Sequence, residues 1–243
     1  MTRRMTRRSN APFLALILLA GAGLDLVLGL GMGLGLGMMR AGLSAGERFI
    51  APDITAASDI SYPVEVVAPG LVTLSMTLSM AGQPPTVQVL RDVPGLTSVT
   101  SAIATNWTYT LGKLDGNPAP STINVQAVFN PANVSGQNLQ VPPVAATPPP
   151  SPAGYLPPEV AAASYAAYPA NSVAWGAVVL DVTIDKDGNI KKVGVIRDVA
   201  SLTQPSIAAV KSWTINPATF NGKGIAAKLV VAFVFRPPVT GND

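Results

Sequence analysis

"YPANSVAWGAVVLDVTIDKDGNIKKVGVIRD", Tyr168 to Asp198, reads as two strands and the turn between them. Val178, Leu180, Val182 and Ile184 alternate with other residues at the period of a strand, Asp187-Gly188 is a favoured hairpin pair, and Val193 and Val195 restart the alternation. A weaker copy, "YPVEVVAPGLVTLSMTLSMAGQPPTVQVLRD", runs from Tyr62 to Asp92, 106 positions earlier and equal in length. There Val72, Leu74, Met76, Leu78 and Met80 alternate with Thr73, Ser75, Thr77 and Ser79, the pattern of a strand buried on one face.

The correspondence continues beyond the hairpin. Trp107 matches Trp213, Gly116 matches Gly222 and Phe129 matches Phe235 in the same register. "SLTQPSIAAVKSW" predicts a helix, with Thr203 placed to cap, Pro205 in the first turn, and Ile207, Val210 and Trp213 at helical spacing. In the last strand, "KLVVAFVF", Leu229, Val231, Phe233 and Phe235 point one way, as Ile123, Val125, Ala127 and Phe129 do in the first copy. The expected fold class is therefore α+β: two small tandem domains, each a β-hairpin, a helix and a strand, forming a three-stranded antiparallel sheet with the helix on one face. Their expected bounds are 59–133 and 161–238. A Pro-rich linker, 134–160, lies between them; at about 3.1 Å per residue its polyproline stretch would hold the domains up to roughly 70 Å apart.

Composition fixes the address. The net charge is +3, but Arg3, Arg4, Arg7 and Arg8 lie in the first ten residues, and without them the balance falls to −1. A near-neutral folded part excludes nucleic acid as a partner. From Ala11 to Met39 the only charge is Asp25, and about 20 apolar residues suffice to cross a bilayer. Residues 1–10 are thus expected in the cytoplasm, 11–39 as a transmembrane anchor in the inner membrane, 40–58 as a linker, and everything beyond in the periplasm, up to a tail at 239–243. A cleaved signal peptide is the competing expectation, because Ala20-Gly21-Ala22 has the small-x-small form of a cleavage site. Both place the remainder outside the cytoplasm.

Chemistry is sparse. The chain has no cysteine and no histidine, so disulfides, Cys/His metal sites and nucleophile–His dyads are excluded. Asp181, Asp185, Asp187 and Asn189 crowd one turn, but the glycine falls too early for a calcium loop and no glutamate follows. A hairpin turn is the better reading. Trp107 and Trp213 fit core packing, and Arg91-Asp92 and Arg197-Asp198 fit a solvated or capping pair at the end of the second strand. No catalytic residue, metal site or cofactor is expected, and the chain is not read as an enzyme.

Tyr168-Pro169, Gly176, Val178, Asp187-Gly188-Asn189-Ile190, Val193, Val195, Leu202, Ala209-Val210, Trp213, Pro217, Gly222 and Phe235 together resemble the C-terminal domain of the TonB energy-transducer family. The first copy resembles it more weakly, lacking the Asp-Gly turn and the proline. The resemblance implies a binding module. Family members carry the proton-motive force from ExbB and ExbD motor proteins to an outer-membrane TonB-dependent receptor, a segment of which adds as a strand beside the last strand of the domain. Here that edge would be Lys228 to Phe235, with Lys228, Val230, Ala232 and Val234 flanking the added strand; a covered domain face or a dimer contact is the alternative for the same residues. The family's anchor carries a histidine that engages the motor; this chain has none, which leaves Asp25 for that contact. A non-energised envelope scaffold, its paired domains serving protein–protein interaction, is the other function compatible with the sequence.

Overall fold

The computed structural model describes residues 48–80, 83–145 and 154–236. The expected anchor with Asp25, both termini and the prolines at 148–150 lie outside the described residues. Among those described, no helix is long and apolar enough to cross a membrane.

The first half contains β1 (Phe49–Ile50), β2 (Asp53–Ala56), β3 (Gly70–Leu78), β4 (Thr86–Arg91), α1 (Thr97–Ala104), β5 (Thr108–Thr110), β6 (Gly112–Leu114), β7 (Asn117–Ala119) and β8 (Ser121–Asn130). After β9 (Asn138–Leu139), the second half repeats the order: β10 (Tyr155–Leu156), β11 (Glu159–Ser164), β12 (Gly176–Ile184), β13 (Ile190–Arg197), α2 (Thr203–Lys211), β14 (Thr214–Asn216), β15 (Ala218–Phe220), β16 (Lys223–Ile225) and β17 (Ala227–Phe235). Residues expected as linker therefore form β1 and β2 in the first half, and β9, β10 and the start of β11 between the halves.

The two three-stranded sheets are not separate. They join into one six-stranded sheet of order β13-β12-β17-β8-β3-β4. The pairs β3/β4, β3/β8, β12/β13 and β12/β17 are antiparallel, while β17 and β8 meet in parallel at the centre. A three-stranded sheet leaves the last strand of each half with a bare edge of backbone donors and acceptors, and each edge satisfies the other. This corrects the expectation of tethered, independent domains.

The central seam has a particular register. Leu74, Ile123, Val125 and Phe129 face a core with Ile54, Ile60, Leu96 and Trp107 on one side of the sheet, whereas Leu180, Leu229, Val231 and Phe235 face a core with Val160, Leu202, Val210 and Trp213 on the other. Equivalent residues of the two halves thus point to opposite faces. Neighbours across a sheet must point to the same face, so equivalents cannot sit side by side. The register obeys this: Val125 pairs with Val230, not with its repeat equivalent Val231.

Both faces of the sheet are covered, so its strands are buried on both sides. Ala177, Val179, Val230, Ala232 and Val234 belong to the core built around the first half's helix, and Leu71 and Val128 to that of the second. Each helix begins on a local hydroxyl lock rather than a preceding cap residue: Thr97 Oγ1 accepts from Val93 N–H at 2.9 Å, and Thr203 Oγ1 from Val199 N–H at 3.0 Å. The tryptophans pack in the cores as expected, Trp213 against Phe233.

The Tyr-Pro motifs close the loops before β3 and β12. Tyr62 donates its hydroxyl to Ala68 O (2.7 Å) and Tyr168 to Ala174 O (2.8 Å). Burial pushes the Tyr62 phenol up to about 12 from an ordinary 10.0, with Arg236 working against the rise, and burial raises Tyr109 and Tyr155 further. A folded-state pKa above the unfolded value favours folding below pH 10 and loses that contribution as pH climbs toward 12. With no histidine to titrate near neutrality, denaturant midpoints should stay flat from pH 7 to 9 and fall above 10, and Tyr62→Phe should flatten the fall. An equal slope in the variant would show that Tyr62 plays no part.

Candidate docking surfaces

The four residues expected to flank an added strand lie at the middle of the sheet. Val230, Ala232 and Val234 are fully buried against Ile54, Ile60 and their neighbours from the first half. Lys228 Nζ reaches Asp181 Oδ2 and Asp53 Oδ2, both at 2.6 Å, tying β17 to β12 and to β2 across the halves. Burial lowers the lysine's pKa, but the hydrogen bonds it donates to both carboxylates, and their charge, outweigh that, so the net shift is upward. Asp181 is raised by burial despite its bond to Lys228. The rim of β17 pairs with β8 from Val230 to Phe235. An added strand has no place there while the halves stay joined, because β8 already occupies that rim from Val230 to Phe235. This corrects the expected site: the second of the two readings of these residues, a covered face, is the one observed.

The outer strands of the sheet are β4 and β13. Along β4 lies the chain's own segment 142–145, where Ala145 N–H donates to Leu90 O at 2.7 Å. Leu90 is the extra residue at a bulge, since Arg91 pairs with Thr73 and Val89 with Leu74. Arg91 fastens this segment. Its guanidinium, 3% exposed, donates to Pro142 O (2.6 Å), Val160 O (3.2 Å), Thr73 Oγ1 (3.2 Å) and Glu159 Oε1 (2.9 Å). Burial lowers its pKa and Glu159 opposes that, yet an arginine remains cationic. The expected solvated Arg91-Asp92 pair is thus replaced by a buried clamp across the join.

Arg197 occupies the equivalent place on β13. It pairs with Asp59 of the first half at 3.2 Å and donates to Ala177 O, while Asp59 Oδ1 also accepts from Ala177 N–H at 2.7 Å. Each half therefore sends the arginine at the end of its second strand to the lead-in segment of the other.

Sequence periodicity also misses a polar layer. Thr73, Ser75, Asn124, Gln126 and Asn130 fall at positions that alternation assigns to solvent, yet all are buried. Residues 158–166 of the second half pass over them and offer backbone carbonyls: Asn124 donates to Pro158 O and Asn130 to Ala166 O, each at 3.0 Å. The only hint in the sequence is amide side chains where the second half carries Val230 and Ala232.

The acidic turn is a hairpin turn. Asp185 Oδ1 accepts from Asp187 N–H and Asn189 N–H, both at 2.9 Å, and Lys191 Nζ sits 3.0 Å from Oδ2. The Asn189 amide and Lys191 hold the carboxyl well below the usual range. Gly188, at φ +90°, leaves no room for a side chain, because a Cβ would lie 2.3 Å from Ile215 O. No group of His, Cys, Asp and Glu suited to a metal ion occurs among the described residues.

Residues 164–237 match the family model described as Gram-negative bacterial TonB protein C-terminal. Over these residues the chain is similar to a TonB C-terminal domain. The match begins at the end of β11 and runs through β17, so the Asp185 turn, the α2 helix and the seam strand all fall within the matched residues, and the family's domain is a non-enzymatic interaction module. The first half lies outside the matched residues, although its elements follow the same order. No curated protein and no solved structure matches the chain.

Proposed function

We propose that this chain is an inner-membrane-anchored, periplasm-facing protein that presents a TonB C-terminal domain to an outer-membrane TonB-dependent receptor, and that Asp25 links the anchor to ExbB/ExbD-like motor proteins for energy transduction. The observation that carries the reading is the family match at residues 164–237, in a chain whose first forty residues read as an export anchor. In this reading the domain bounds read from the sequence shift. The first half extends back to β1, and the residues on either side of the Pro-rich stretch belong to one joined body.

A second reading has its own support. Because β17 is sealed by β8, the chain also suits a non-energised envelope scaffold whose halves are permanently docked to each other. Affinity capture of the tagged full chain from crosslinked envelopes separates the two. Transduction predicts recovery of both a receptor and motor subunits, with motor recovery lost in Asp25→Asn and receptor recovery kept. Recovery of assembly proteins alone, unchanged by that substitution, refutes the transducer and supports the scaffold.

A further inference from the structure

We propose that the outer rim of β13, and not β17, is the docking ledge of this protein, and that it takes an extended partner segment with a short apolar stretch and an acidic residue at the end that meets Lys192. The proposal rests on the receptor-binding reading but concerns a different edge from the one the family resemblance implies.

Three observations carry it. First, β13 ends the sheet, and among the described residues no backbone group outside the sheet bonds to Ile190–Arg197. Second, the equivalent rim in the first half already holds an extended segment. The Ala145 N–H meets the bulge carbonyl of Leu90, and β13 has the same bulge at Ile196, since Arg197 pairs with Val179 and Val195 with Leu180. No donor from outside the sheet reaches Ile196 O among the described residues. The bulge carbonyl that receives segment 142–145 on β4 is therefore repeated on β13 and left open.

Third, the side chains select the occupant. Val195 is 44% exposed and Val193 is half-buried on the same face, giving an added strand something apolar to cover. Lys191 and Arg197 are already engaged by Asp185 and Asp59, whereas Lys192 stands exposed at the other end of the strand. An acidic residue directly opposite Lys192 makes a favourable cross-strand pair. A Cβ at Gly194 would meet nothing nearer than Asp181 atoms at 3.7 Å, so the strand is uncrowded there.

The test uses the full chain in detergent micelles and a fluorescein-labelled peptide of alternating valine and threonine with glutamate at one end. Binding is expected to protect β13 amides from hydrogen exchange and leave β17 amides unchanged. Two versions of the peptide, N-methylated at complementary alternate residues, should split: one binds, the other loses at least tenfold. Lys192→Glu should weaken the glutamate-ended peptide about threefold and strengthen a lysine-ended one by a similar factor. Protection at other residues, equal binding of both methylated peptides, or a dimer that protects β13 without peptide would overturn the proposal. Receptor capture with no protection of β13 would sink this rim while leaving the proposed function standing. Protection of β13 with no receptor captured would do the reverse.

Discussion

Replacing Arg91 with alanine is expected to lower stability by about 3 kcal/mol, a fall of roughly 6–12 °C in Tm for a body of this size. The cause is not the ion pair. Glu159 is 40% exposed and can turn to water once the guanidinium is gone. The carbonyls of Pro142 and Val160 and the hydroxyl of Thr73 cannot, and each buried acceptor left without a donor costs about 1–3 kcal/mol. Arg197→Ala should cost only about 1 kcal/mol, because its guanidinium is 29% exposed and its partner Asp59 is similarly wet. Thermal scans of the two variants therefore separate a buried clamp from a surface pair. Equal small losses would mean that segment 142–145 does not depend on Arg91. Release of that segment would also uncover the β4 rim, visible as faster exchange at Leu90 and Ala145.

Ala232→Pro should unfold the protein. On an open edge a proline removes one outward donor and spares the fold. In this structure Ala232 is paired with Val179 on one side and Ala127 on the other, and it is fully buried. A proline there removes a ladder donor, strands its acceptor in the core and forces its ring against a neighbouring strand, at a cost of at least about 3 kcal/mol. Circular dichroism and urea titration of the purified variant read this directly. A variant that folds with a wild-type midpoint would place β17 at a free edge and return strand addition to Lys228–Val234.

Why the halves need different sequences follows from the seam. Two identical strands related by a twofold axis along their length would place equivalent residues level with each other but facing opposite ways, which a regular ladder forbids. The one-residue stagger of Val125 against Val230 resolves the conflict. It also gives the halves unlike surroundings: Asn124 and Gln126 lie under backbone carbonyls of residues 158–166, whereas Val230 and Ala232 lie under Ile54 and Ile60. The unlike residues at matching positions of the two halves thus have a structural reason.

The elements of each half were legible in the sequence because they rest on local rules. Period-two stripes mark β3, β8, β12 and β17, Asp187-Gly188 marks a hairpin, and Ile207, Val210 and Trp213 mark α2; each of these signals is complete within a dozen residues. The joining of the halves was not legible. A bare strand edge looks the same in a sequence whether its partner is a foreign peptide or a strand a hundred residues away, because the bonding groups are backbone and carry no residue identity. For the same reason Thr73 and Gln126 read as solvated and Arg91 as a surface cation. Sequence alone determined the hairpin, helix and strand of each half; which strand rims are paired and which is left open was decided by tertiary pairing, where satisfying backbone hydrogen bonds outweighs any side-chain signal.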